Sequence, residues 1–442
     1  MIKNYLLLAL KVLRRKPFYT FISLFGISFT LMILMLITSM GDALFGANKP
    51  MSEVDRMVFL PALSRYTQFY DTIYTIDSVL MDDGTMRYDS TFDTEEIGSN
   101  NSDGSMSYHF ITEYLHGLSD VSEATAFSPS SFVDGYLDGR KVTFRTYYTD
   151  GNYWNVFDFN FLHGLPYGKD DVDGGNQIAV LTDKAATEYF GEASDDVIGR
   201  EVTLGDRTYR VGGIVARPLK DDPTIQGDVY LPVTTMDRRA LDAKTLEGSF
   251  SAVFLATSPG KRESIKKQLE FLAENFVMPP EEDYEEIALY PGTATEVFAG
   301  GIMQERDYDL AKMMFFIPLF LLLFLFLALP LINLINLNVS RVYERKSEIA
   351  VRKAFGARSA DILYQFIFEN LVLTFIGGAI GLILAFFVIR AVNANDLIGI
   401  VRLSFSFKVF FYFIVVIVLF GLLSGLLPAL RMSRTNIGTA LR

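Results

Sequence analysis

The sequence predicts a membrane protein with four transmembrane α-helices and a large α+β extracytoplasmic domain between the first and second helices. The first observation is composition: half of the 442 residues are apolar and the mean hydropathy is +0.25, which is high for a soluble protein. The second is that the apolar residues cluster in four stretches that carry no charge. The third is that Lys and Arg flank these stretches asymmetrically.

Each uncharged stretch is long enough, or nearly so, to cross a bilayer, because a helix rises about 1.5 Å per residue and the hydrocarbon core is about 30 Å thick. Basic residues precede the first stretch, as they do in a secretory signal. However, the stretch exceeds the roughly 7–15 apolar residues of a signal and lacks a convincing cleavage site, so we expect it to remain as a span. The predicted spans are residues 18–40, 311–339, 367–390 and 408–430.

The Lys and Arg residues beside the spans predict the orientation, since cytoplasmic loops are enriched in them. Basic residues with few acids mark three segments, which we place in the cytoplasm together with both chain termini. These are residues 1–17, as an amphipathic inner-leaflet helix or an extension of the first span, residues 340–366 and the tail 431–442. The remaining parts, residues 41–310 and the short loop 391–407, are predicted to lie outside.

The large outside domain is strongly acidic. Between Gly41 and Lys312 there are 47 acidic and 23 basic residues, a net charge of −24, whereas the rest of the chain is basic. This balance argues against nucleic acid as a partner, because phosphate binding needs clustered Lys and Arg. Acidity is also the ordinary expectation for a soluble domain. There is no cysteine and no His pair at metal-ligand spacing, so we expect neither a disulfide nor a zinc site.

From residue 176 onwards the pattern of this domain is regular and predicts α+β structure. Apolar runs indicate strands, and a helix begins after Thr182, whose hydroxyl can cap it. By contrast, residues 70–104 are polar and contain clusters of Asp, Asn, Ser and Gly, so we expect irregular structure there. The predicted elements are strands 177–181, 200–204, 209–215, 229–233 and 251–255, and helices 183–190 and 261–275.

Three separate motifs carry a resemblance to a known family. Residues 344–381 read ERKSEIAVRKAFGARSADILYQFIFENLVLTFIGGAIG, residues 153–159 read YWNVFDF, and residues 425–434 read GLLPALRMSR, before a final ALR. Together they closely resemble the signature of MacB/FtsX-like ABC transporter permeases. The glycine usual after the Glu-Ile pair is Ala350 here, which a helix accepts readily. The resemblance also implies an inserted lobe in the outside domain, at about residues 120–233, where predicted strands crowd.

The resemblance implies that residues 340–366 contain a short coupling helix that docks in a cleft of an ATPase. Apolar and charged residues alternate here at helical spacing, and Gly356 can end the helix. An apolar helix with charged flanks suits a contact that transmits force, because its apolar side chains are buried in the partner's cleft while the flanking charges fix its orientation. The alternative is a basic loop on anionic lipid, which needs only Lys and Arg. The predicted coupling residues are Glu344, Glu348, Ile349, Ala350, Val351, Arg352, Lys353, Phe355 and Gly356.

A glycine stripe in the third span suggests close helix packing. Gly377, Gly378 and Gly381 are spaced to let another helix approach, either within this chain or in a dimer.

The chain has no Walker A sequence, so we predict a non-enzymatic subunit without a cofactor, whose ATP is bound by a partner chain. The resemblance implies the split arrangement without a fused ATPase, in the bacterial cytoplasmic (inner) membrane. The implied partners are a cytoplasmic ABC ATPase, a second permease copy or a paralogue, membrane lipids, and an adaptor protein with an outer-membrane duct.

The implied task is mechanical transmission, for efflux or release of periplasmic substrates, for lipoprotein release, or for control of a cell-wall hydrolase. A membrane-anchored enzyme with His109, His116 or His163 as base is a remote alternative, since no nucleophile motif accompanies these residues. A ligand receptor would leave the motif at residues 344–356 unexplained.

Overall fold

The structure is a computed structural model. It describes residues 17–81, 86–137, 139–218, 220, 222–280, 282–344, 351, 355–356, 358–395, 397–398, 402–403, 410–412, 414–415, 418–419 and 422. The chain divides into two compact units. We call residues 49–218 and 222–312 the sheet unit, and the unit that contains residues 17–48 and 313–395 the helical unit.

The helical unit consists of long apolar helices. Helix α1 covers Pro17–Phe45, α9 covers Tyr308–Glu344, and α10 covers Ser359–Ala394. Within the described residues, three segments are long and apolar enough to cross a membrane: Thr20–Phe45, Tyr308–Leu325 and Ile367–Ala394. Each of these overlaps one of the first three predicted spans. The predicted fourth span, 408–430, lies largely outside the described residues, as do the N-terminal residues 1–16 and the tail 431–442.

The sheet unit has α+β architecture. Its strands are β1 (Met57–Leu60), β2 (Leu63–Leu80), β3 (Met86–Met106), β4 (Val121–Leu137), β5 (Arg140–Thr149), β6 (Phe161–Gly164), β7 (Ile178–Thr182), β8 (Glu201–Leu204), β9 (Arg207–Val215), β10 (Val229–Pro232), β11 (Glu247–Gly248), β12 (Ser251–Ala256) and β13 (Glu286–Leu289). Its helices are α2 (Tyr108–Tyr114), α3 (Tyr153–Val156), α4 (Lys169–Asp173), α5 (Asp183–Phe190), α6 (Arg238–Asp242), α7 (Arg262–Glu274) and α8 (Ala294–Met303).

Nine strands form one mixed sheet in the order β1-β12-β4-β5-β10-β7-β9-β6, and β8 pairs with both β4 and β9. Two pairs, β5 with β10 and β7 with β9, are parallel, while the other pairs are antiparallel. A smaller sheet has the order β11-β3-β2-β13. The strands and helices predicted beyond residue 176 are therefore confirmed, with boundaries shifted by one or two residues.

Two apolar cores support these sheets. The larger core includes the buried face of α7, with Ile265 and Leu269, and Phe254 of β12. In the smaller core every buried residue lies between Phe144 and Leu231. The predicted inserted lobe, residues 120–233, thus contains a core of its own, but its strands continue the sheet of β1 and β12. Its separation as a lobe stays a prediction.

The expectation of irregular structure at residues 70–104 is wrong. Strands β2 and β3 form a long antiparallel hairpin there, with Leu63 opposite Gly104 and Leu80 opposite Met86. Strand β2 is rich in Thr, Tyr, Ile and Phe, which favour a pleated surface. The polar run at residues 99–104 has little strand propensity of its own, but it is held in register opposite residues 63–68. Pairing with a strong strand therefore overrides the local turn signals.

Candidate functional site

Most of the predicted coupling residues cannot be located, because Glu348, Ile349, Ala350, Arg352 and Lys353 lie outside the described residues. Helix α9 ends at Glu344. Beyond the gap, the backbone N–H of Phe355 donates to the carbonyl of Val351 at 3.1 Å, which is helical spacing. Gly356 then has a φ of +91°, the left-handed conformation that commonly ends a helix. The side chains of Val351 and Phe355 are exposed, by 49% and 89%.

A buried ion cluster joins three helices in the sheet unit, at the start of α9. Glu296 of α8 lies between two ammonium groups, with Oε2 at 3.0 Å from Lys266 Nζ of α7 and Oε1 at 2.9 Å from Lys312 Nζ of α9. The Glu296 side chain is only 10% exposed. We call Lys266, Glu296 and Lys312, together with Tyr308, the α9 joint.

The sequence around Glu296 explains why it lies at this point. Thr293 precedes α8 as its N-cap, and its backbone N–H donates to Glu296 Oε2 at 2.8 Å, which is the capping-box arrangement. The carboxylate is therefore fixed by its own helix before it meets either lysine. Burial by itself would raise the pKa of Glu296, but the Thr293 N–H and the two ammonium groups outweigh it and lower the pKa to about 2.

Tyr308 forms the second contact of the α9 joint. Its hydroxyl donates to the carbonyl of Tyr290 at 3.1 Å. Its ring lies against Gly292 and Gly300, where an added Cβ would come within 2.5 and 2.7 Å of ring carbons. The two glycines therefore permit the ring to approach. The first turn of α9 is thus anchored to the sheet unit by a hydrogen bond, close ring packing and a buried ion pair.

The glycine stripe of α10 faces α1 within the helical unit. A Cβ at Gly377 would lie 2.5 Å from Cγ2 of Ile27, and a Cβ at Gly381 would lie 2.7 Å from the carbonyl oxygen of Ser28. Gly378 is buried beside them. Buried apolar side chains complete the contact, among them Leu31 of α1 and Leu373 and Ala385 of α10. Gly377 and Gly381 therefore lie where α1 and α10 of this chain approach each other.

Replacing Gly381 with Ala is expected to destabilise the helical unit by about 1–2 kcal/mol, because the new Cβ meets a backbone oxygen that cannot move alone. Gly26→Ala in α1 is the matched control, since its Cβ enters open space. The control is expected to be neutral or to stabilise by up to about 1 kcal/mol, owing to better helix propensity. Thermal unfolding of both purified variants measures the difference. Equal behaviour of the two would contradict the packing role.

The YWNVF segment packs into the core of the sheet unit. Phe157 is fully buried. Trp154 is half-buried, and its indole N–H is enclosed without a hydrogen-bond partner in the described part of the chain. Five aromatic rings surround the indole at centroid distances of 5.3–5.5 Å: Tyr153, Phe159, Phe161, Tyr167 and Tyr230.

A buried carboxylate holds this segment in place. Asp150 accepts a hydrogen bond from the Thr125 hydroxyl at 2.6 Å and from the backbone N–H groups of Ala126, Asn152 and Tyr153 at 2.8–3.1 Å. Burial raises the pKa of Asp150 to about 6, even though these four donors favour the charged form. The role of Asp150 is therefore structural, because its acceptor oxygens are engaged by the chain itself.

The three histidines lie in surface or ring-packing environments. His163 contacts Asp195, with Nδ1 and Oδ1 2.8 Å apart, on an exposed surface. The His109 ring packs edge-on against Tyr114, and His116 lies at the surface. Among the described residues, no group of three or more His, Cys, Asp or Glu side chains could hold a metal ion.

Sequence reasoning missed the α9 joint. A signal was present, because Thr293-Ala294-Thr295-Glu296 is a capping-box pattern. What the sequence could not provide was the identity of the lysines, which are 30 residues before and 16 residues after Glu296.

Comparison with known proteins matches two parts of the chain to described families. The family described as MacB-like periplasmic core domain matches residues 20–272, and that described as FtsX-like permease C-terminal matches residues 320–437. The Macrolide export ATP-binding/permease protein MacB of Aggregatibacter actinomycetemcomitans is 26% identical over 277 residues, which are 61% of this chain and 39% of that protein. Its counterpart from Escherichia coli (strain K12) is 24% identical over 243 residues, 53% of this chain and 34% of that protein. The chain thus spans two fifths or less of the length of these relatives.

Two solved structures resemble part of this chain. One is a domain of a putative permease protein from Porphyromonas gingivalis, with 16% identity and a TM-score of 0.38, covering 54% of this chain and 90% of that one. The other is the periplasmic region of MacB from Actinobacillus actinomycetemcomitans, with 18% identity and a TM-score of 0.33, covering 45% and 84%.

Proposed function

The chain belongs to the MacB/FtsX-like family of ABC transporter permeases, and from this premise we propose that it transmits the ATP-driven motion of a separate cytoplasmic ATPase to its extracytoplasmic domain. In this proposal the sheet unit is the extracytoplasmic domain and the long helices are the spans. The chain lies in the bacterial cytoplasmic membrane with both termini in the cytoplasm, as the distribution of Lys and Arg favours.

The observation that carries the proposal is the α9 joint. Transmission needs a stiff connection between a moving span and the domain that responds, and α9 is a continuous helix of 37 residues that begins at this joint. Its first turn is anchored by Lys312, which pairs with the almost fully buried Glu296, and by Tyr308, whose hydroxyl donates to the Tyr290 carbonyl. Buried, hydrogen-bonded ion pairs are costly to separate. A displacement of α9 is therefore passed to α7 and α8 rather than absorbed in a flexible linker.

At the other end of α9, the proposal places the contact with the ATPase at residues 344–356. These 442 residues contain no Walker A sequence, which supports an ATPase on a partner chain. The exposed apolar side chains of Val351 and Phe355 support docking into a cleft, because a solvated loop has no need of them. The left-handed Gly356 supports a short helix with a defined end.

The task of the complex is efflux or release of periplasmic substrates, carried out by a pair of permeases, either two copies or a copy with a paralogue. A periplasmic adaptor and an outer-membrane duct complete the efflux arrangement. Lipoprotein release and control of a cell-wall hydrolase are the alternatives within the same mechanism.

Copurification from native membranes, with identification of the bound proteins by mass spectrometry, tests the proposal. We expect an ATPase that carries a Walker A motif, and ATP hydrolysis by the complex but not by the chain alone. A bound adaptor would support efflux, whereas a bound peptidoglycan hydrolase would replace efflux with hydrolase control. A permease that purifies without any ATPase under conditions that preserve other membrane complexes would contradict transmission itself.

A further inference from the structure

An open groove lies on the surface of the sheet unit. It runs between helix α7, the turn after α2 and residues 275–277, and its volume is about 790 Å³. Small-molecule sites in proteins typically enclose about 300–1,000 Å³. The groove is therefore of a size that accepts one small organic molecule.

The walls of the groove are largely apolar and uncovered. Phe271 of α7 is 66% exposed and Val277 is 87% exposed. Tyr114 and Phe276 form an aromatic wall, with their rings edge-to-face and the centroids 5.1 Å apart. Leu272 packs beneath them as part of the larger core. Aromatic and aliphatic side chains grouped in a concave surface are typical of ligand sites, whereas single exposed apolar residues need no explanation.

The charge of the groove is opposite to that of its surroundings. No carboxylate lines it among the described residues, and its basic side chains are Lys267 and His116. The region from Gly41 to Lys312 carries 47 acidic against 23 basic residues, so a surface without acids is unusual here. Lys267 makes no ion pair within the described part of the chain, whereas its neighbour Lys266 is engaged with Glu296. A free ammonium group at the edge of an apolar groove complements an anion with an apolar body.

We propose that this groove binds small amphiphilic organic anions, with the apolar body against Phe271 and Val277 and the acidic group at Lys267. Such a ligand satisfies both features of the groove, while a neutral apolar molecule leaves the ammonium group unused. The further step of identifying the bound anion as a substrate of the permease rests on the proposed function. Binding itself needs no motor and is tested without one.

The test uses two fluorescent probes that differ by one sulfonate: 1-anilinonaphthalene-8-sulfonate and uncharged N-phenyl-1-naphthylamine. The full chain is held in zwitterionic lipid nanodiscs, and empty nanodiscs give the bilayer background. Phe271→Ser is expected to weaken saturable binding of both probes about ten-fold, because it removes the apolar wall. Lys267→Gln is expected to weaken the sulfonate probe about five-fold and to leave the neutral probe unchanged.

Two matched controls lie on the same unit outside the groove. Leu165→Ser removes an apolar side chain that is 75% exposed, and Lys169→Gln removes an exposed lysine. Neither is expected to change the affinity of either probe. A Val277→Cys thiol, in a chain that has no other cysteine, should react more slowly with maleimide when the sulfonate probe is bound.

The proposal is overturned if Phe271→Ser binds the sulfonate probe like the native chain, or if Lys267→Gln weakens both probes equally. It is overturned too if the Val277→Cys thiol is not protected. Each of these results leaves the transmission proposal untouched, since no ATPase is present in the measurement.

Discussion

Ile349→Asp and Val351→Asp variants are expected to insert into the membrane normally but to lose the ATPase during copurification, whereas Arg358→Gln is expected to retain it. Each Asp substitution removes an apolar side chain whose burial is worth about 1.5–3 kcal/mol and places a charge in the proposed cleft. Val351 is 49% exposed in the isolated chain, so its side chain is available to a partner. Arg358→Gln lowers the basic charge by one unit but spares these apolar side chains.

The contrast between the variants separates the coupling helix from a lipid-bound loop. A loop that only binds anionic lipid depends on positive charge, and its apolar residues are incidental. If residues 344–356 form only such a lipid-bound loop, every variant retains the ATPase. The measurement is the amount of ATPase recovered with each variant at matched permease levels, with the hydrolysis rate as second readout. Undiminished association and hydrolysis in both Asp variants would rule out residues 347–356 as the joint with the ATPase.

Glu296→Gln is expected to destabilise the sheet unit by about 2–3 kcal/mol at pH 7, because it removes the buried carboxylate that Lys266 and Lys312 share. Their other carboxylate partners, Glu263 and Asp309, are 67% and 89% exposed and compensate little. The figure is below that of a fully buried pair, since the Lys312 side chain is 33% exposed. The pKa of Glu296 is lowered from 4.5 to about 2 in the folded chain. Its contribution to stability is therefore present above pH 4.5 and is lost as the pH falls towards 2.

Unfolding of the native chain and the variant, measured at pH 7 and at pH 3, checks both parts of this prediction. The difference in free energy of unfolding should shrink at the lower pH. Glu263→Gln is the matched control, because Glu263 contacts the same Lys266 at 3.8 Å but its side chain is 67% exposed. An exposed pair is worth at most about 1 kcal/mol, so this control should change little. Equal losses in the two variants would show that burial of Glu296 adds nothing.

The sequence predicts those parts of the fold whose signals are local. Helix α5 begins after Thr182, as the capping pattern indicates. The Thr182 side-chain oxygen accepts a hydrogen bond from the backbone N–H of Ala185 at 3.2 Å. The helix ends at Gly191, which has a φ of +86°. Strands β8 and β9, which match the predicted strands 200–204 and 209–215, pair as a hairpin, because an alternating pattern and a Gly-Asp turn fix their pairing. Three helices that are long and apolar enough to cross a membrane were likewise predictable from length and the lack of charge alone.

What the sequence does not reveal depends on partners that are distant along the chain. The run at residues 99–104 reads as a loop until it is paired with β2, and no local propensity predicts that pairing. Glu296 resembles an ordinary capping residue until Lys266 and Lys312 are brought to it by the packing of α7 and α9. The groove beside Phe271 is likewise formed by segments that are about 150 residues apart.

The surroundings of Trp154 have a practical consequence for experiments on this protein. It is the sole tryptophan of the chain, so all indole emission originates at one known point of the sheet unit. Its indole lies among five aromatic rings, and indole emission depends on nearby polarity and ring contacts. Intrinsic fluorescence of the purified chain therefore reports on this domain without background from the rest of the permease. Under the proposed function, a change in the Trp154 spectrum after ATP is added to the chain with its ATPase, corrected for the emission of the ATPase, would show when the conformational change reaches this domain.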